Sequence, residues 1–165
     1  MASRRNNRRG SSMVEFALVF LPLMALLLGV FEMGRAMWTY HSVSAAVKDA
    51  TRYSSVRGAS CAAESSGCAP SVAEVTGRIR ASSLGLEPSR FRLTLEAGSH
   101  TVSCDTMSQC LANSSYWPAW PNNSVGRTIT VTGEYAFHTF LFSLWPGLNR
   151  TGFTMRSRSS EIIQF

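Results

Sequence analysis

From Phe16 to Phe31 the chain runs for sixteen residues without a charge, and Glu15 and Glu32 stand at the two ends of the run. On a helix, the seventeen residues from one carboxylate to the other span about 25 Å, close to the ~30 Å hydrocarbon core of a bilayer. With Met13 and Val14 at one end and Met33 at the other admitted into the interface, the pattern predicts one membrane-crossing helix. Pro22 removes a backbone donor and loosens the turn around Leu18, a defect that membrane helices tolerate. Ala25 and Gly29 form a small-x-x-x-small pair, which lets a second helix approach closely.

Beyond Glu32 the apolar positions change spacing rather than vanish. Ala36, Tyr40, Val43, Val47 and Ala50 recur every three or four residues, while Arg35, Thr39, Ser42, Asp49 and Arg52 fall on the opposite face. The same helix therefore continues as an amphipathic one, stopping near Arg57 and Gly58, for a total of about forty residues. Glu32 and Arg35, one turn apart, suit an interfacial ion pair that closes the span. After a small loop with Cys61 and Cys68, Ser71-Val-Ala-Glu74 reads as the capping box of a second helix with Val72, Val75 and Ile79 on one side, ended by Gly85. Three period-two stretches follow. Phe91, Leu93, Leu95 and Ala97 share one face, as do Ile129, Val131, Gly133, Tyr135 and Phe137, and near the carboxyl end Phe153 and Met155. Strands that succeed one another without intervening helices predict an antiparallel sheet, hence an α+β fold whose apolar face is covered by the amphipathic half of the long helix.

The net charge of +6 changes meaning once it is located. Arg4, Arg5, Arg8 and Arg9 carry +4 within the first ten residues, which leaves +2 for the remainder. The body is nearly neutral, so the nucleic-acid signal is confined to the arginine arm. A solvated or DNA-binding arm is one reading of it, but arginines directly ahead of an apolar run more often hold that end in the cytoplasm, and no nucleic-acid partner is expected. The four cysteines lie in two close pairs, Cys61 with Cys68 and Cys104 with Cys110, at spacings unlike those of zinc ligands. In an exported domain they suit two local disulfides, although four cysteines allow three connectivities. His41, His100 and His138 are far apart and have no acidic neighbour at a useful spacing, so neither a metal site, a cofactor site nor a catalytic dyad is expected. Trp117-Pro-Ala-Trp-Pro121 is barred from a central strand by its prolines. It suits either a rigid exposed loop or rings folded over the sheet edge. Phe140 to Trp145, apolar on all sides, suits a core segment or one that meets the membrane or a partner helix. Asn113, Asn122 and Asn149 begin N-x-S/T sequons of the kind that arise by chance.

A basic leader, Gly10, four residues, then Glu15-Phe16 and an apolar run is the pattern of a type IV prepilin processing site. The segment from Val14 to Gly58 resembles the amino-terminal half of the TadE-like family of tight adherence pilus assembly proteins. Glu15-Phe16, Pro22, Gly29, Glu32, Gly34-Arg35 and Ala50-Thr51-Arg52-Tyr53 carry the likeness, and Arg127 to Gly147 is similar to the family's ending. The resemblance implies a pilin-like α+β protein, a minor pilin or pseudopilin of the inner membrane without enzymatic activity. Its implied partners are a prepilin peptidase, other pilins or pseudopilins, and the pilus assembly platform.

The resulting expectation divides the chain into a leader at 1–10, a transmembrane helix at 11–33, its amphipathic continuation at 34–58 and a periplasmic α+β domain at 59–165. Cleavage between Gly10 and Ser11 would place Glu15 fifth in the mature chain, where its carboxylate can pair with the newly exposed amine. Two other readings fit the same segment. One is a signal peptide cut after Ala36, releasing a binding domain, and the other is an uncleaved single-pass anchor. An apolar run this long, headed by a glutamate, is unlike a signal peptide's shorter apolar region.

Overall fold

The computed structural model describes residues 8–64, 68–140 and 152–164. These fall into two compact units. One is built on residues 8–36 with Thr139 and Phe140, the other on residues 37–138 and 152–164. A single helix, α1, runs from Arg8 to Ser55 and contributes to both. In the first unit its apolar residues are mostly exposed: Phe16 is 68% accessible and Val30 72%, with Leu28 intermediate. A helix that is apolar all round has lipid or other helices as its natural surroundings, and this one is long and apolar enough to cross a membrane. Pro22 lies within it without ending it.

In the second unit α1 is amphipathic. Val43, Ala46, Val47 and Ala50 are fully buried, and Thr51 and Ser54 join them by turning their hydroxyls back onto the carbonyls of Val47 (2.7 Å) and Ala50 (2.9 Å). Such back-bonding satisfies a polar group that would otherwise be costly to bury. Two expectations about this face need correction. Thr39, assigned to the polar side, is buried, whereas Tyr40, assigned beneath the sheet, is 48% exposed and packs edge-on to His41. Tyr40 is in phase with Val43 and Val47 but stands at the amino-terminal edge of the buried stretch. Helical phase sets the direction of a side chain, not whether anything lies above it.

The sheet has the order β2-β1-β3-β4, with every neighbouring pair antiparallel. Its strands are β1 (Phe91–Ala97), β2 (His100–Cys104), β3 (Thr128–Phe137) and β4 (Phe153–Ile162). Phe91, Leu93, Leu95, Ile129, Val131 and Met155 form the buried face, as the alternation of apolar residues predicts. Phe153 keeps that phase but is half-exposed, tilted against Phe137 at 5.1 Å between ring centroids. Gly133 sets the closeness of helix and sheet, because a Cβ there would lie 2.7 Å from Val47 Cγ2 and 2.9 Å from Phe91 Cζ. The other face is polar. Arg156 pairs with Glu134 at 3.4 Å and Arg158 with Glu96 at 3.1 Å, exposed pairs worth a fraction of a kcal/mol each.

The second predicted helix is α3 (Val72–Ser82), with α2 (Ala59–Glu64) before it and α4 (Met107–Leu111) after β2. At its start both arms of the capping box form: Ser71 Oγ accepts from the Glu74 amide (3.2 Å), and Glu74 Oε2 accepts from the Ser71 amide (2.8 Å). It ends at Ser82 rather than at Gly85, which instead takes φ +80° in the turn that follows. Ser82 donates to Asp49 on α1, and Arg57 and Arg78 stack on the Tyr53 ring at 3.8 and 4.7 Å, fastening α3 to α1. The expected loop at Cys61 is the short helix α2, and Cys61 is bonded to Cys68. Cys104 at the end of β2 is bonded to Cys110 on α4. In both disulfides the Cα atoms are 5.7 Å apart.

Candidate functional site

The residues singled out for processing lie near the start of α1. Gly10 and Ser11 are already helical, and Glu15 and Phe16 follow about one and a half turns on, both exposed. Phe16 stacks on Phe20 with 5.4 Å between ring centroids. Residues 1–7 of the expected leader lie outside the described residues. Glu15 is thus the acidic group at the head of a surface otherwise made of methyl, methylene and ring carbon.

From about two turns beyond Glu15, Pro22, Ala25 and Gly29 line a shallow apolar groove of about 600 Å³, together with Leu26, Val30 and Met33. The last three were not singled out from the sequence, although the three-and-four spacing from Pro22 leads directly to them. A Cβ added to Gly29 would meet nothing within 4 Å, and the same holds for Gly34. Neither glycine is required by packing among the described residues. The space they leave suits close approach by another helix.

Glu32 differs from the interfacial surface pair expected of it. It is buried, only 8% exposed, and its carboxylate accepts two hydrogen bonds, from Arg35 Nη2 at 3.0 Å and from the Phe140 amide at 3.3 Å. Arg35 is itself 44% exposed, so this is a half-open ion pair that also holds the chain at Phe140. Spacing of three residues revealed the arginine partner, but the backbone donor, 108 residues away, carries no sequence signal. Residues 141–145 of the apolar Phe140–Trp145 stretch lie outside the described residues, as does Asn149.

The four residues Ala50-Thr51-Arg52-Tyr53 divide between two tasks: Ala50 and Thr51 are buried in the helix–sheet layer, and Tyr53 carries the stacked arginines. In the Trp-Pro-Ala-Trp-Pro segment the two tryptophans differ. Trp117 is fully buried and Trp120 is 82% exposed, with both X-Pro bonds cis. His41, His100 and His138 are exposed and not brought together. Among the described residues no group of three or more His, Cys, Asp or Glu side chains could hold a metal ion, and all four cysteines are in disulfides.

No curated protein and no solved structure matches the chain. The family model described as TadE-like protein matches residues 10–52, from the glycine of the processing pattern to the arginine before Tyr53. That family is structural and associated with the tight adherence pilus. Residues 10–52, which make up nearly all of the long amino-terminal helix, are thus the part of the chain that is similar to the TadE-like family.

Proposed function

We propose that this chain is a minor pilin or pseudopilin that supports assembly of a tight adherence pilus, and that a prepilin peptidase cuts it between Gly10 and Ser11. The observation that carries the reading is the coincidence of two boundaries. The family match begins at residue 10, and Glu15 stands five residues later at the head of the apolar helix. After the cut the helix remains long enough to hold the protein in the inner membrane.

The orientation follows from charge and redox chemistry. Four arginines ahead of the span keep the amino terminus in the cytoplasm. Two disulfides suit a carboxyl-terminal domain in the oxidising periplasm. The groove over Pro22, Ala25 and Gly29 gives a neighbouring pilin or an assembly-platform helix a close-packing surface. Cleavage after Ala36 is less well supported, because the apolar run is headed by Glu15 and, at sixteen residues, is longer than the 7–15-residue apolar region of a signal peptide.

Gly10→Leu tests the processing step. A bulky side chain next to the scissile bond hinders approach of the backbone to the peptidase, so the membrane fraction should hold only the precursor, ten residues longer than the wild-type product. An unchanged mass in wild type and variant would contradict cleavage at this bond.

A further inference from the structure

On the second unit, the loop from Tyr116 to Asn123 is held rigidly and presents an aromatic surface that the core does not use. Trp117 anchors it from below, fully buried, with its amide bonded to the Pro70 carbonyl at 2.9 Å. The flanks are tied by hydrogen bonds from the Val72 amide to the Ser115 carbonyl and from the Ala59 amide to the Asn123 carbonyl, each 2.8 Å. Asn122 packs against Gly98 in the β1–β2 turn, which brings His100 beside the loop. Above this anchored base Trp120 is 82% exposed and Tyr116 63%.

The two rings and Pro118 border a groove of about 430 Å³ whose polar members are His100, Ser115 and Asn123. Among the described residues no Lys, Arg, Asp or Glu lines it. The Asn123 side-chain oxygen is buried without a hydrogen-bond partner. We infer that this groove is a binding site for a neutral saccharide.

The chemistry of the walls selects that class. The axial C–H groups of a pyranose are weakly positive and suit the negative face of an indole or phenol ring. Its hydroxyls donate and accept, and so can pair with an imidazole, an amide and a hydroxyl. An anionic ligand would find no cation here, and a basic one no carboxylate. The volume falls within the range of small-ligand sites. Because the loop is already ordered, little conformational freedom is lost on binding. The site does not depend on how the amino terminus is processed.

The test uses the full chain purified from membranes in a zwitterionic detergent, since alkyl glycosides would compete. Cellotetraose, chitotetraose and maltotetraose are titrated by calorimetry and by saturation-transfer NMR. At least one should bind saturably. Trp120→Ala should weaken that binding at least ~10-fold, with Tyr116→Ala also weaker and Trp120→Phe less affected. The melting temperature of Trp120→Ala should stay unchanged, because the ring is exposed. Absence of saturable binding by all three sugars overturns the inference, and so does binding that Trp120→Ala and Tyr116→Ala leave intact. Loss of a co-purifying pilus protein from Trp120→Ala, without any sugar response, would make the loop a protein contact instead and overturn it equally.

Discussion

Val47→Asp is expected to destabilise the unit formed by residues 37–138 and 152–164 by about 3–5 kcal/mol, the cost of an uncompensated buried charge. Val47 is fully buried, and its Cγ2 faces Gly133 so closely that not even a methyl group fits between helix and strand. A carboxylate there would have neither water nor a cation within the layer. Tyr40→Asp provides the contrast. Tyr40 lies on the same helix but is half-exposed, so the change should cost no more than ~0.5 kcal/mol. Denaturant midpoints of the full chain in detergent, followed by near-ultraviolet circular dichroism, separate the two. Equal midpoints for Val47→Asp and wild type would mean that this face of the helix is not packed on the sheet in solution.

Glu15→Ala is expected to leave cleavage intact and to reduce surface pili by at least ~10-fold. A charged carboxylate at the centre of a membrane helix costs about 2.5–3.5 kcal/mol even on lenient scales, and less near the interface. Glu15 stands at the edge of the span, where the cost is smaller, and pairing with an opposite charge would offset it. Cleavage after Gly10 would supply one, an α-amine largely protonated at neutral pH, on the same helix or on a neighbour in the assembly. Alanine removes the pair's negative member without disturbing the scissile bond. Glu15→Gln keeps the shape and a hydrogen-bonding group but not the charge, and should resemble alanine if charge pairing is what matters. Normal piliation with either variant would mean that Glu15 marks only the level of the headgroups.

The elements that could be read from the sequence are those in which local pattern and tertiary burial agree. The uncharged run to Phe31, the Ser71–Glu74 capping box and the alternation in β1 and β3 each reflect a property of the segment itself. Strand β2 was missed because it is an edge strand of five residues, His-Thr-Val-Ser-Cys, with Val102 its one aliphatic residue, and it is held by pairing with β1 rather than by an apolar face. The helices α2 and α4 are six and five residues long, too short for helical periodicity to show, and each carries one cysteine of a disulfide.

The candidate site was legible in the same uneven way. Gly10, Glu15, Pro22, Ala25 and Gly29 stand out because charge, ring closure or small size is conspicuous within an apolar run. The burial of Glu32 was not legible, since it depends on the distant amide of Phe140. Nor could composition distinguish Trp117 from Trp120, whose opposite fates depend on which ring the loop turns towards the core.

The measurement that bears most directly on the account is the amino-terminal residue of the protein recovered from membranes. Ser11 is the predicted result, in a product still held in the membrane fraction by the apolar run from Phe16 to Phe31. An amino terminus at or before Gly10 would make the helix an uncleaved anchor, and Met37 on a soluble product would make it a signal peptide. Either result would contradict assignment of the chain as a processed pilin-like protein.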